Sequence, residues 1–139
     1  MKHVIFQPQS GIARGFTQMA ALMAATLGPQ RGVIWNAVGA GKPEALTDSG
    51  IIARRVTELS GAAENVGAMI LRGAATEMHA RYLDGAALTA ALAVALLEDA
   101  YRLLAAGVNP MSLRGGIEAG IAAAVGTSTA AAQSVKGQE

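Results

Sequence analysis

The chain has 139 residues, of which 52% are apolar and only 15% charged, so a folded protein of one domain is expected and extensive disorder is excluded. Eleven basic and ten acidic residues give a net charge of +1, which excludes a broad basic surface for nucleic acid or an anionic membrane. The absence of cysteine excludes disulfides, thiolate metal sites and thiol catalysis.

The first predicted elements are a strand and a helix. Residues 3–6 are a short apolar run that predicts a strand, and Pro8 ends it. Apolar residues recur every three or four positions over residues 12–27, which is typical of one face of a helix. Gly28 and Pro29 end that helix, because glycine suits a left-handed C-terminal position and proline cannot continue the hydrogen-bond ladder.

A β-hairpin and a short helix come next. Residues 33–35 and 45–47 predict two strands, joined by the glycine-rich tip at residues 39–43. Residues 47–50, Thr-Asp-Ser-Gly, are residue types that cap helices well, so a helix is expected from Ile51 to about Leu59.

Three longer helices complete the predicted fold, over residues 64–81, 86–106 and 110–125. In the first of them five residues are expected to face inward: Val66, Met69, Ile70, Gly73 and Met78. Residues 126–139 are polar and are expected to form a flexible tail. The predicted class is therefore mainly α, a single domain over residues 1–139 with about five helices and one small β-hairpin.

Membrane and secreted locations are not expected. The longest apolar run, residues 86–97, has about twelve residues, whereas a membrane-spanning helix needs about twenty. Residues 1–6 lead directly into polar sequence and do not resemble a secretory signal. A cytoplasmic protein is therefore predicted.

The residues support neither a phosphate-binding loop nor a site built on histidine. The segment 39–42, Gly-Ala-Gly-Lys, is not a Walker phosphate loop, because Asn36 stands where its first glycine is needed and Pro43 where the magnesium-binding Ser or Thr is needed. A hairpin tip is the favoured interpretation. His79 is interpreted as a surface residue of a helix, and His3 supports no site.

Asp84 and Gly85 stand directly before a predicted apolar helix. The start of a helix presents unpaired N–H groups and partial positive charge, which suit phosphate, and an aspartate beside it could hold Mg²⁺. The same dipeptide is also an ordinary helix cap and turn, and spacing alone leaves both interpretations open.

Five segments in order resemble the N-terminal half of the equatorial domain of GroEL-type (group I) chaperonins. A similar counterpart exists for each of five family segments. In order, these are the first nucleotide loop, Lys-Asp-Gly-Val-x-Val-Ala-Arg, Glu-Asn-Met-Gly-Ala, Asp-Gly-Thr-Thr-Thr and Ala-Ala-Gly-x-Asn-Pro-Met-x-Leu-x-x-Gly-Ile. These counterparts are residues 14–29, 48–54 (with one inserted residue), 64–68, 84–85 and 105–117.

This resemblance implies an ATP-driven folding chaperone that assembles in rings. Its expected partners are further copies or other ring subunits, together with unfolded client proteins, and the hairpin 33–47 would pair with terminal strands of a neighbouring subunit. The expected cofactors are ATP and Mg²⁺, with Asp84 and Asp48 near the metal. By resemblance nine residues would contact the nucleotide: Thr26, Leu27, Gly28, Pro29, Asp84, Gly85, Ala86, Ala87 and Leu88.

The sequence also departs from the family. Ala86, Ala87 and Leu88 replace three threonines whose hydroxyls could bond phosphate, so weakened ATP binding is expected. The insertion near Ser49 leaves open whether Asp48 faces the site. Because the matched region stops where the family's intermediate domain begins, this chain alone is not expected to hydrolyse ATP.

Two functions follow as hypotheses. The first is a truncated or divergent chaperonin-like protein associated with ATP-dependent protein folding, which includes a specialised paralogue that serves one client. The alternative is a non-catalytic helical interaction or assembly protein on the same scaffold.

Overall fold

A computed structural model of the chain describes residues 11–29, 32–37 and 41–133. Within these residues the fold is mainly helical, with five helices and one small antiparallel hairpin, and the predicted fold class is confirmed. The elements in chain order are α1 Gly11–Ala24, β1 Ile34–Asn36, β2 Glu44–Leu46, α2 Ser49–Arg55, α3 Ala62–Tyr82, α4 Ala86–Ala105 and α5 Pro110–Ala131. The strand predicted at residues 3–6 lies outside the described residues.

The chain divides into two compact units, Met1–Glu98 and Asp99–Glu139. In the first unit α1, α2, α3 and the start of α4 enclose an apolar core. Its largest fully buried side chains are Met19, Met23, Ile52 and Leu71. Much of the remaining core is alanine, so these four side chains supply a large share of the buried apolar area.

Helices α1 and α3 approach each other backbone to backbone. A Cβ added to Gly15 would overlap the carbonyl of Glu64, and one added to Gly67 would overlap the carbonyl of Ile12. Glycine at both places therefore permits a helix separation that no larger residue would allow. Beside this contact Arg14 Nη2 donates to Glu64 Oε1 at 2.6 Å, and that hydrogen bond holds the pKa of Glu64 below its ordinary value.

This close contact also determines which face of α3 is buried, and part of the predicted face is wrong. The buried residues of α3 are Gly67, Ala68, Leu71 and Ala75. Val66 and Ile70 are 48% and 57% exposed, and Gly73 is exposed too, whereas Met69 and Met78 are half-buried. The close contact with α1 requires small residues on the buried face. A pattern of recurring large apolar residues does not identify such a face.

The hairpin forms as predicted, within one residue at its ends. Ile34 pairs with Leu46 and Asn36 with Glu44 in antiparallel register. Trp35 points outward and is 70% exposed, whereas Leu46 is buried in the core. The second strand leads within two residues into Asp48, the N-cap of α2.

In the second unit α5 begins at a well-formed cap. Asn109 Oδ1 accepts from the N–H of Met111 at 2.8 Å, and Pro110 occupies the first helical position. The helix ends at Ala131, six residues beyond the predicted end. Within it the hydroxyls of Thr127 and Thr129 donate to carbonyls one turn earlier, so both polar side chains find partners inside the helix.

The single domain over residues 1–139 and the flexible tail over residues 126–139 stay predictions. No helix among the described residues combines the length and the apolar character needed to cross a membrane.

Candidate functional site

A cavity of about 290 Å³ lies in the first unit, where three separate stretches of the chain meet. The stretches are the end of α1, the start of α2 and the turn between α3 and α4. Among the described residues ten line it: Thr26, Leu27, Gly28, Thr47, Asp48, Ser49, Asp84, Gly85, Ala87 and Leu88.

The first wall is formed where α1 ends. The N–H of Thr26 donates to Met23 O at 3.1 Å and that of Leu27 to Ala24 O at 2.9 Å, so the last turn tightens. Gly28 then adopts a left-handed backbone with φ of +94°, which glycine permits at little cost. Because the hydroxyl of Thr26 donates to Met23 O at 2.8 Å, it offers the cavity an acceptor oxygen rather than its proton.

The second wall is the start of α2. Asp48 has an extended backbone and caps the helix, with its Oδ1 accepting from the N–H of Ile51 at 2.8 Å. The other end of α2 is held by Arg72 of α3, whose Nε donates to Ala53 O at 2.7 Å. These two contacts fix α2 at both ends and so place the Asp48 carboxylate at the cavity.

The third wall is the turn from α3 to α4. Leu83 adopts a left-handed conformation with φ of +59° and donates its N–H to His79 O at 2.9 Å, which closes α3. Gly85 has φ of +81°, and its N–H donates to Asp84 Oδ1 at 2.7 Å. The bond from the N–H of Thr89 to Gly85 O opens the ladder of α4, so the N–H groups of the preceding turn have no acceptor within the helix. Two residues of that turn, Ala87 and Leu88, line the cavity.

The chemistry of the lining residues is acidic and amide-rich. Two of the ten are aspartates, and among the described residues that line the cavity none is basic. A bare phosphate would therefore meet two carboxylates without a compensating cation. In the described part of the chain no three His, Asp or Glu side chains cluster as a ready-made metal site. The donor set instead fits Mg²⁺ that arrives with a phosphate ligand, because Mg²⁺ commonly takes one or two carboxylates plus phosphate oxygens.

Two leucines give the cavity an apolar side. Leu27 and Leu88 both line it and are 42% and 55% exposed. Leu88 occupies one of the three positions at which the resemblance leads one to expect threonine. This part of the wall therefore cannot donate a hydrogen bond to an anion from its side chain.

Most of the residues singled out from the sequence meet at this cavity. Thr26, Leu27 and Gly28 line one side, and Asp48, despite the insertion beside it, reaches the same space. The others at the cavity are Asp84, Gly85, Ala87 and Leu88.

Some residues differ from the sequence-based picture. Pro29 and Ala86 are not among the lining residues, and the side chain of Ala86 is buried at 1% exposure. Thr47 and Ser49 line the cavity without having been singled out for it, and their position on either side of Asp48 is the signal that could have identified them. The residues of the glycine-rich hairpin tip that the structure describes do not line the cavity.

His79, which the sequence alone favours as a surface residue, is half-buried in the structure. Its imidazole lies against Gly50, close to where a Cβ of residue 50 would stand.

No model of a known protein family matches the sequence.

Proposed function

We propose that this chain is a chaperonin-like protein whose cavity binds a nucleotide together with Mg²⁺. One observation carries the proposal: residues 26–28, Asp48 and residues 84–85 line a single cavity although they are far apart in sequence. These are the segments that the resemblance to GroEL-type chaperonins associates with nucleotide and metal.

In this proposal each wall has a distinct task. The carboxylates of Asp84 and Asp48 would hold Mg²⁺, and the amides that open α4 would receive phosphate oxygens. When bound, Mg²⁺ would neutralise phosphate charge beside the two carboxylates. Leu27 and Leu88 would exclude water from one side of the ligand.

Binding is expected to be weaker than that of a site with three threonines after the aspartate–glycine pair. A hydrogen bond to a charged group contributes about 1.5–3 kcal/mol. Loss of two such bonds at Ala87 and Leu88 therefore corresponds to roughly two to four powers of ten in affinity.

Titration calorimetry of the full chain tests the nucleotide site. ATP with excess Mg²⁺ is expected to bind, and ATP with a chelator is not, because two carboxylates repel uncompensated phosphate. Absence of heat at millimolar Mg²⁺–ATP would contradict the proposal.

A charge-neutral double variant tests the metal role without removing the helix cap. In Asp48→Asn/Asp84→Asn each Oδ1 can still accept from the amides of Ile51 and Gly85, and asparagine caps helices as well as aspartate does. Mg²⁺-dependent binding is expected to disappear in this variant. The control Asp99→Asn makes one such charge-neutralising change at an exposed residue that does not line the cavity, and it is expected to bind as the unaltered chain does.

The chaperone part of the proposal has its own test. The chain is expected to suppress aggregation of a chemically denatured protein and to release it when Mg²⁺–ATP is added. Light scattering is expected to show an assembly with several copies. Equal aggregation with and without the chain would contradict a folding function even if nucleotide binds.

A cytoplasmic location belongs to the same proposal, since a cysteine-free chain gains nothing from an oxidising compartment.

A second candidate function is that of a helical assembly protein, and α5 is the observation that favours it. None of its 22 residues is buried, and Met111 and Val125 are 72% and 60% exposed. Four glycines weaken this helix by about 1 kcal/mol each relative to alanine, so burial against a partner would stabilise it.

Because both candidates predict an assembly, sedimentation over a range of concentrations tests whether α5 is the element through which the chain associates. An assembly role predicts association that Val125→Lys weakens and that Ser128→Lys, at a polar position of the same helix, leaves unchanged. A chain that stays monomeric at every concentration contradicts the assembly role.

A further inference from the structure

We propose that His79 is a positioning residue that ties together the two acidic walls of the cavity. It lies in the last turn of α3, while the aspartates belong to the start of α2 and to the turn before α4. This role presupposes the proposed Mg²⁺–nucleotide site and adds to it the residue that sets the spacing of its carboxylates.

The first connection runs from His79 to Asp48. The imidazole packs on Gly50, which is buried in the first turn of α2, and its ring atoms Nδ1, Cγ and Cε1 are the nearest groups to a Cβ added there. Glycine at residue 50 leaves room for the ring. The ring therefore bears on the backbone two residues after Asp48 and one before Ile51, the residue whose N–H holds the Asp48 carboxylate.

The second connection runs from His79 to Asp84. The carbonyl of His79 accepts from the N–H of Leu83 at 2.9 Å, and this bond closes α3 in the left-handed turn that ends the helix. Asp84 is the next residue, and its Oδ1 is held by the N–H of Gly85. One residue thus contacts α2 through its side chain and fixes the α3–α4 turn through its backbone.

Positioning of this kind affects a metal–phosphate ligand strongly because both carboxylates must reach the same ion. Residues that orient metal ligands from behind typically change metal affinity 10–100-fold when they are removed. For His79→Ala we expect at least about a tenfold loss of Mg²⁺–ATP affinity, with little change in helix content, since alanine is a good helix former and the ring is only half-buried.

Two matched variants distinguish positioning from a general loss of packing. Tyr82→Ala removes a larger ring from the same end of α3, where it is 68% exposed, and is expected to leave affinity unchanged. Gly50→Ala alone is expected to weaken binding, because its methyl group would overlap the imidazole. In the His79→Ala background the same methyl group occupies part of the vacated space, so Gly50→Ala/His79→Ala is expected to bind more tightly than His79→Ala.

The experiment combines ¹⁵N NMR of the ligand-free chain with calorimetry of Mg²⁺–ATP binding. In His79→Ala without ligand, the amide resonance of Ile51 is expected to shift, because the ring contact behind the Asp48 carboxylate is lost. The resonance of Gly85 is expected to stay, because alanine keeps the backbone carbonyl that accepts from Leu83. An unchanged Ile51 resonance overturns the positioning role whether or not nucleotide binds.

The calorimetric outcomes keep the two proposals apart. If the unaltered chain binds no Mg²⁺–ATP, the nucleotide site is refuted. If it binds and His79→Ala binds equally well, or if adding Gly50→Ala to His79→Ala gives no recovery, the positioning role is refuted while the nucleotide site stands.

Discussion

Two glycines of α3 provide a matched test of the packing that places the cavity walls. Gly67 faces α1, and a Cβ added to it would overlap the backbone carbonyl of Ile12. Gly73 lies six residues later in the same helix, with open space where its Cβ would be. The substitutions Gly67→Ala and Gly73→Ala therefore make the same chemical change in two opposite surroundings.

The magnitudes follow from those surroundings. Alanine is more stable than glycine inside a helix by about 0.5–1 kcal/mol, so Gly73→Ala is expected to stabilise the fold by that amount. Gly67→Ala gains the same stabilisation from the helix preference of alanine, but it also forces α1 and α3 apart, and overpacking of this kind costs about 1–3 kcal/mol. Because the helix term cancels, the difference between the two variants isolates the cost of the overlap, about 1–3 kcal/mol.

Thermal and denaturant unfolding followed by circular dichroism measure this difference. For a domain of 60–100 residues, 1 kcal/mol corresponds to about 4–8 °C in Tm, so Gly73→Ala is expected to unfold at least about 4 °C above Gly67→Ala. Equal Tm values for the two variants would refute the close approach of α1 and α3. The placement of the cavity walls would then lose its basis, since α1 ends at one wall and α3 leads into another.

Three further predictions concern the Arg14–Glu64 pair and the residues at or beside the cavity. In Arg14→Ala the pKa of Glu64, measured by ¹³C NMR of its carboxyl, is expected to rise toward 4.5, and a pKa that does not move contradicts the hydrogen bond. Because Arg14 lowers that pKa in the folded chain, the stability that the pair contributes is present above about pH 4.5 and is lost as the pH falls through the lowered pKa. Ala87→Thr/Leu88→Thr places two hydroxyls at the cavity and is expected to raise Mg²⁺–ATP affinity by about a hundredfold or more by calorimetry, since each bond to phosphate contributes about 1.5–3 kcal/mol. Ala86→Thr, by contrast, adds atoms to a side chain that is 1% exposed and is expected to cost about 1–3 kcal/mol in unfolding free energy without improving affinity. Gains in affinity at residue 86 but not at residues 87 and 88 would contradict the assignment of lining residues.

The secondary structure followed closely from local signals in the sequence. Asp48 and Asn109 mark the starts of α2 and α5 because their side chains accept from helix amides that have no other partner. Gly28 and Gly85 mark turns because they adopt left-handed backbone conformations that other residues rarely tolerate. Such signals act over a few residues, so a reader of the sequence can locate them without knowing the fold.

The orientation of α3 and the role of His79 could not be obtained in that way. Apolar periodicity indicated Val66 and Ile70 as core residues, yet the buried face is the one where Gly67 meets α1. The imidazole of His79 packs on Gly50, which lies 29 positions earlier in the sequence, and no local pattern reports that contact.

By itself the sequence determined the number of helices, the hairpin and most of the residues that line the cavity. Two of the predicted helix ends are wrong, since α2 stops at Arg55 rather than near Leu59 and α5 continues to Ala131. Only the tertiary structure decided that Thr47 and Ser49 join Asp48 at the cavity, that Ala86 does not line it, and which side of α3 is covered. The physical reason is the distance along the chain over which each kind of interaction acts. Caps, turns and helix propensity depend on neighbours a few residues away, whereas burial depends on how closely two distant backbones can approach, and here glycines set that distance.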